Sequence, residues 1–284
     1  MHPLARVAEQ GADIAEVLVT MWIRALDYMP PVHVEFGDAL SGALTADTEA
    51  RPNDSRYKLR ARTKEAFRAY GFMPASNTPD GTWRRPPEGL DYDCVGFEAM
   101  RTDKDEVFRF LWENRDRLEL RDGAYTEVLS VRPCTRVSED GFTLRETVAE
   151  YYQVARLTPK EFLKLKIKLP EGWTKDLRKS QSEARARKAK SLGDDEAARS
   201  RNDDEELVTP LYGGGTLVFD DHGRLKYWIH NDVFGDRQSA RLEYLYGAGL
   251  LRVGRGGARL SAARLSAVHR LRAMDARKYP QEGW

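Results

Sequence analysis

Two stretches of the chain carry side chains that could transfer protons or hold a metal ion. Asp221 and His222 lie in the turn-like run Asp-Asp-His-Gly at 220–223, and His230 follows on the next strand-like segment. Carboxylates and imidazoles can bind a divalent cation or act as general acids and bases. The run lacks the HExxH spacing of a zinc helix, and aspartates also accept backbone hydrogen bonds in turns. The sequence therefore offers Asp221, His222 and His230 as catalytic candidates and predicts no metal site.

Cys94 is the candidate nucleophile. It follows the run Asp-Tyr-Asp at 91–93, and His33 or His230 could serve as its base. An aspartate directly before the cysteine disfavours a thiolate, and an isolated cysteine is more often a small core residue. Glu98 adds a further acid, but no E-x-K motif of a metal-dependent nuclease follows it. A metal-dependent or cysteine hydrolase is thus one functional hypothesis.

The glycine clusters do not indicate a cofactor. Residues 213–215 and 254–257 match neither GxxxxGK[ST] nor GxGxxG, so the sequence predicts no phosphate-binding loop and no cofactor. The first cluster instead predicts the start of a β-hairpin, where glycine can adopt a positive φ.

The last part of the chain is basic and the first part is acidic. From Gly247 onward there are eight basic and two acidic residues, whereas residues 1–54 contain three basic and nine acidic ones. Arg259, Arg270 and Arg277 are spaced 11 and 7 residues apart, which places them on one face of a helix. That face could follow the phosphates of a nucleic acid, or it could meet acidic side chains of this chain or of a protein partner.

Helices are predicted toward both ends of the chain. In residues 4–28, apolar side chains recur at a 3-4 spacing that gives one continuous face, and Pro30-Pro31 ends the helix. Further helices are predicted over 56–70, 102–118, 236–246 and about 261–276. The small and polar residues 38–55 predict a loop, and residues 73–90, rich in proline and glycine, predict an irregular connection.

Antiparallel strands are predicted between these helices. Segments 125–137 and 142–157 form a hairpin around Glu139-Asp140-Gly141, and 217–229 forms a second one. Shorter strands are predicted at 32–36 and 90–97, and a helical turn at 158–161 is predicted to run into a strand over 163–169. The predicted fold class is α+β, with antiparallel β-hairpins or a meander packed against N-terminal and C-terminal helices.

A highly charged stretch divides the chain. Residues 174–206 contain no aromatic side chain and little periodic apolar content, which predicts an exposed insert or linker, mobile or loosely helical. It separates a main α+β domain, 1–173, from residues 207–284, where a β-hairpin continues the main sheet before the basic C-terminal segment.

Composition narrows the function. The near balance of 46 basic and 45 acidic residues excludes a uniformly basic protein that coats nucleic acid. No apolar run is long enough to cross a membrane, so the sequence predicts no membrane partner. Two distant cysteines and no export signal favour the cytoplasm. The leading hypothesis is a soluble protein-binding accessory or scaffold subunit of a larger assembly, because catalytic spacings are absent and the first helix carries an apolar face. A nucleic-acid-binding protein that uses the C-terminal arginines is the alternative beside the hydrolase.

Overall fold

Four helices precede an antiparallel sheet in the described part of the chain, and three further helices lie between and after its strands. The computed structural model describes residues 3–137, 141, 143–157, 159–165, 167–191, 207–250, 254, 255 and 269. Its helices are α1 (Pro3–Ala25), α2 (Phe36–Ala50), α3 (Leu59–Ala69), α4 (Lys104–Glu113), α5 (Pro159–Phe162), α6 (Glu171–Ser191) and α7 (Gln238–Gly247). Its strands are β1 (Tyr125–Val137), β2 (Thr143–Leu157), β3 (Leu207–Phe219), β4 (Leu225–Asn231) and β5 (Gly254–Arg255).

The strands form an antiparallel sheet in the order β1-β2-β3-β4, and β5 pairs with β3. Each neighbouring pair in the main order is also consecutive in sequence, so the sheet is a meander of hairpins. The predicted α+β class with antiparallel hairpins is confirmed. The helix predicted over about 261–276 lies outside the described residues.

The sheet is covered on both faces. On one face, Phe108, Phe110 and Leu111 of α4 belong to a core that includes Tyr151 and Leu217. The opposite face contributes Val218, Tyr227 and Ile229, which pack with Tyr28 and with Ala46 of α2. α1 joins this second layer because Met21 and Ala25 are buried against Leu40 and Leu44 of α2.

The predicted loop over 38–55 is wrong, because α2 occupies most of it. The small side chains are needed for close helix packing: a Cβ on Gly42 would lie 2.9 Å from the carbonyl oxygen of Tyr28. A capping box between Glu35 and Asp38 starts the helix. The strand predicted over 32–36 is also wrong, since those residues form a bend that leads into this cap.

The strands predicted over 90–97 and 163–169 are wrong as well. In the first segment, the Asn114 side chain takes the place of a neighbouring strand: its Oδ1 accepts from Asp91 N at 2.7 Å and its Nδ2 donates to Asp91 O at 2.8 Å. In the second, Leu165, Ile167 and Leu169 contact a small core around Trp173 from a segment of turns. Their alternation reflects contact with that core rather than strand pairing.

The charged stretch 174–206 is helical where the structure describes it. α6 begins at Glu171, and its first turns are anchored by Trp173 and Leu177, which are fully buried. Residues 192–206 lie outside the described residues, and the division into 1–173, 174–206 and 207–284 stays a prediction. None of the described helices combines the length and the apolar character needed to cross a bilayer.

Candidate functional site

The predicted Asp220-Asp221-His222 group lies at the exposed turn between β3 and β4. Asp220 Oδ1 accepts from the backbone nitrogens of His222 at 3.0 Å and Arg224 at 2.8 Å, so this carboxylate holds the turn. Asp221 and His222 point into solvent, with 55% and 80% of their side chains exposed. A shallow hollow of about 280 Å³ beside them also includes Phe97, Glu98 and Arg101. His222 Nε2 lies 3.5 Å from Asp221 Oδ1 at the edge of this hollow.

His230 lies at the other end of β4, about 20 Å along the strand from the turn. Its Nδ1 is 2.9 Å from the Tyr151 hydroxyl, and the Trp228 ring stacks on the imidazole at 5.2 Å. Burial lowers the pKa of His230 to about 4, so the ring is uncharged at neutral pH. Its Nε2 is enclosed without a hydrogen-bond partner among the described residues. The structure therefore does not bring His230 together with Asp221 and His222.

Glycine explains how Tyr151 reaches His230. The register across the sheet sets Tyr151, Gly215 and His230 side by side on three strands. A Cβ on Gly215 would lie 3.0 Å from the Tyr151 hydroxyl and 2.3 Å from the Ile229 carbonyl oxygen. The β3–β4 pairing begins at Gly214, which has a positive φ of +146°, so the predicted role of this cluster at the start of the hairpin is confirmed. The cluster lies inside β3, and its residues are glycine because neighbouring backbone and the tyrosine ring occupy the side-chain space.

Cys94 lies in the segment that covers the β3–β4 turn. The Tyr92 hydroxyl accepts from Leu225 N at 3.0 Å, and the Phe97 ring sits directly against Gly223. Cys94 is half-buried, and its carbonyl oxygen accepts from Arg109 at 3.1 Å. This position is at the turn end of β4, away from His230.

His33 lies in the bend before α2, where burial and then the charge of Arg241 lower its pKa. The bend is held at the end of β4, because Asn231 Nδ2 donates to the Val32 carbonyl oxygen at 2.9 Å. The two predicted bases, His33 and His230, are thus separate from the predicted nucleophile. No three His, Cys, Asp or Glu side chains in the described part of the chain are grouped so as to hold a metal ion. The hydrolase hypothesis stays a prediction without an assembled site behind it.

Sequence reasoning missed a charged cluster under the α2 layer. Lys226 Nζ pairs with Glu146 at 2.9 Å and also with Glu49, and the Tyr28 hydroxyl donates to both Glu146 oxygens at 2.8 and 2.7 Å. Tyr227 donates to Glu49 at 2.5 Å. Lys226 of β4 thus pairs with one carboxylate from α2 and one from β2, so the cluster ties the helical layer to the sheet. No local motif could have revealed it, because the partners are far apart in sequence.

The C-terminal arginines Arg259, Arg270 and Arg277 lie outside the described residues, and the nucleic-acid hypothesis stays a prediction. His269 alone is described in that segment. Its Nε2 accepts from Thr126 N at 3.2 Å, and its ring packs against Trp112 at 5.2 Å. His269 therefore contacts the α4 face of the sheet, opposite the face that α2 covers.

The most distinctive surface of the molecule is apolar and lies on the helical layer. Four aromatic rings follow one another across it: Trp22 stacks on Phe67 at 5.5 Å, Phe67 meets Phe72 edge-on at 6.3 Å, and Phe72 contacts Phe36 at 4.5 Å. Phe36 is 62% exposed and Phe72 is 38% exposed. Val19 and Ile23 of α1, and Leu26 directly after it, are also apolar and each more than half exposed. We call this set of side chains the helical surface.

A groove between α1 and α3 continues the helical surface. It has a volume of about 470 Å³, and Ile14, Leu18, Leu59 and Ala66 supply its apolar lining. Arg56 and Arg62 stand at its rim, and the Tyr57 hydroxyl beside them has no hydrogen-bond partner among the described residues. The groove is apolar within and basic at its edge.

The periodicity of α1 pointed to part of this surface, since the predicted apolar face includes Ile14 and Leu18. The aromatic part could not be predicted, because Phe36, Phe67 and Phe72 come together only when α2 and α3 pack. Compared with known protein families, with curated proteins and with solved structures, the chain matches none.

Proposed function

We propose that this chain is a protein-binding accessory subunit that engages its partner through the helical surface and the adjoining groove. The observation that carries the proposal is the run of contacting rings from Trp22 through Phe67 and Phe72 to Phe36, at the end of which Phe36 and Phe72 are exposed. Val19 and Ile23 of α1, and Leu26 directly after it, are exposed as well.

Exposure on this scale favours association. Single exposed apolar residues are ordinary, whereas a contiguous apolar area on a folded protein is typical of an interaction site. Aromatic side chains are the common anchors of protein interfaces, because they bury a large area with few rotatable bonds. Phe36 and Phe72 hold each other in place at 4.5 Å, so part of their ordering cost is met before a partner binds.

The shape and charge of the groove indicate the kind of partner. A groove between two helices accepts the apolar face of a third helix, which presents residues at i, i+3, i+4 and i+7. Arg56 and Arg62 at the rim favour a helix with acidic residues beside its apolar face. We also propose a cytoplasmic location, which suits the two cysteine thiols, Cys94 and Cys134.

Site-specific photocrosslinking in the source cell tests the proposal. A photoreactive phenylalanine analogue is placed at Ile23 or at Phe72 on the helical surface, and at the exposed Lys175 on α6 as the control. We expect the same protein to be crosslinked from Ile23 and from Phe72 and not from Lys175, and we expect Val19→Asp to remove both crosslinks. Absence of a crosslink from both surface positions, or the same product from Lys175, refutes the proposed binding surface.

A further inference from the structure

We propose that the second half of α6, residues 178–191, binds nucleic acid by holding a phosphate backbone between two rows of basic side chains. This activity goes beyond the proposed protein binding and does not depend on it. Three features support it: the helix leaves the core, its charge is not balanced within its own length, and its basic residues flank a strip of small ones.

α6 leaves the core after its first turns. Trp173 and Leu177 are 1% and 0% exposed, and Phe162 packs edge-on against Trp173 at 4.7 Å. Within 178–191, every side chain that the structure describes is exposed, namely Arg178, Lys179, Ser182, Glu183 and Ala186. This half of the helix contains no apolar residue larger than alanine. The core therefore anchors α6 at one end only.

The second half of α6 is strongly basic. Residues 178–191 contain six basic residues and one acidic residue, Glu183. Neither Arg178 nor Lys179 forms an ion pair with another residue in the described part of the chain. The next acidic residues in the sequence follow from Asp194 onward, outside the described residues. The positive charge is therefore not balanced within the helix, and it attracts an anionic partner along the helix.

The basic residues flank a strip of small side chains. Arg178 and Arg185 are seven residues apart and form one row along the helix. Lys179 and Lys190 are eleven residues apart and form a second row, about 100° around the helix from the first. Glu183 lies beyond the lysine row, outside the space between the rows. That space, on the side of α6 opposite its buried residues, is occupied by three small residues, Ser182, Ala186 and Ala189.

This arrangement suits a phosphate backbone better than a protein or a membrane. Small residues let a phosphate backbone approach the helix closely, and the cations on both sides can then neutralise its charges. The strip has no aromatic or large aliphatic side chain, and such side chains anchor protein interfaces and helices that lie on membranes. The two rows extend for about 18 Å along the helix axis, so they follow a linear polyanion.

Fluorescence anisotropy with a short labelled DNA duplex tests the proposal on the full chain, and an RNA duplex of the same length is the second probe. Because binding to phosphates releases counterions, the logarithm of the DNA association constant should fall with the logarithm of salt concentration, with a slope of about −4 for four neutralised phosphates. The double variant Arg178→Gln/Lys179→Gln should make this slope shallower by about 2. The matched control is Arg68→Gln/Arg84→Gln, which removes the same charge from two exposed arginines outside α6 and should leave the slope unchanged.

Hydrogen exchange locates the contact on the wild-type protein. Adding the DNA duplex should slow amide exchange in residues 178–191 and leave α3 unchanged. Tighter binding of the RNA duplex supports the proposal with RNA as the natural partner, and tighter binding of the DNA duplex supports it with DNA. The proposal is overturned if neither duplex binds at low salt, if the α6 double variant keeps the wild-type slope, or if exchange in 178–191 does not slow. Tighter binding to phosphatidylglycerol vesicles than to both duplexes overturns it as well.

Discussion

Replacing Lys226 with methionine is the sharpest test of how the helical layer is held on the sheet. Lys226 is the cation between Glu146, whose side chain is fully buried, and Glu49, which is 12% exposed. Lys226→Met keeps most of the volume and removes the charge, so two carboxylates remain in an enclosed space. The Tyr28 hydroxyl still donates to Glu146, but a hydroxyl does not neutralise a carboxylate.

Lys226→Met is expected to lower the free energy of unfolding by a large amount for a single substitution. Removing one partner of a buried ion pair costs about 3 to 5 kcal/mol, because the remaining charge stays buried. Lys226 is itself 14% exposed, so water reaches part of the cluster, and we expect about 3 kcal/mol of lost unfolding free energy. Arg85→Met is the matched control. Arg85 also pairs with Glu49, at 3.1 Å, but it is 62% exposed and should contribute less than about 1 kcal/mol.

The pH dependence identifies the cause. Burial alone would raise the pKa of Glu49, but hydrogen bonds from Lys226 and Tyr227 outweigh it, so the pKa lies below its ordinary value. A carboxyl group with a lowered pKa stabilises the fold above its unfolded-state pKa, and this contribution is lost as the pH falls through the lowered value. In Lys226→Met the hydrogen bond and the charge of Lys226 are lost, so the pKa of Glu49 rises from its wild-type value, although Tyr227 and Arg85 still favour the charged form. Protonation then relieves the buried charge, and the gap to wild type narrows as the pH falls from about 7 to about 5.

Urea unfolding at both pH values, followed by tryptophan fluorescence, measures these differences. Adding Glu146→Gln to Lys226→Met removes one of the two stranded carboxylates and should recover part of the loss at neutral pH. The reasoning is refuted if Lys226→Met costs no more than Arg85→Met, or if its cost is the same at both pH values.

Three further predictions concern the sheet and its turn. Gly214→Ala should destabilise the fold by several kcal/mol or prevent folding, since Gly214 has φ +146° and a Cβ would lie 2.4 Å from the Tyr151 carbonyl oxygen. Gly11→Ala, in the exposed part of α1, should instead stabilise the fold by about 1 kcal/mol. Thermal unfolding compares the two variants. The pKa of His230 is about 4 in the fold, below its ordinary 6.5, so between these pH values the unfolded state binds one more proton than the folded state. The free energy of unfolding should therefore fall as the pH drops from about 6.5 to about 4. His230→Gln should reduce this pH dependence in urea unfolding, and an unchanged slope would contradict the prediction. Asp220→Ala removes the acceptor of two turn N–H groups and should cost about 1 kcal/mol without altering the circular dichroism spectrum.

The elements that the sequence predicts correctly are those whose signals are local. The alternation in β1 and β2 lies within one stretch of chain, and the β3–β4 hairpin is equally self-contained. The turn predicted at 139–141 lies mostly outside the described residues. The 3-4 spacing in α1 and the proline pair after it predict both the helix and its end. Each of these patterns determines a helix or a strand from neighbouring residues alone, and the tertiary contacts agree with it.

The errors occur where a distant contact decides the structure. The residues of α2 are small because the helix packs closely at Gly42, and from the sequence alone small residues resemble a loop. Segment 90–97 has the composition of a strand, yet the Asn114 side chain takes the place of a strand partner. Neither feature can be inferred without knowing which element lies next to it.

The candidate sites divide in the same way. The structural role of Asp220 in its turn follows from local chemistry and is confirmed. The contact of Tyr151 with His230 depends on the register of three strands across Gly215, and the helical surface depends on the packing of three helices. Both features depend on contacts between elements, which composition and spacing do not encode.

The distribution of satisfied groups favours association over catalysis. Glu146 and Asp38 have fully buried side chains, and each is paired within the fold, with Lys226 and with Arg237 at 2.9 Å. Both carboxylates are already paired within the fold, so they are poorly placed to bind a substrate. The reverse holds outside: Leu4, Ile23 and Phe36 are each more than 60% exposed, and in that state they contribute almost nothing to folding. Their apolar area yields free energy only when something else covers it, and this is the part of the molecule where we propose that a partner binds.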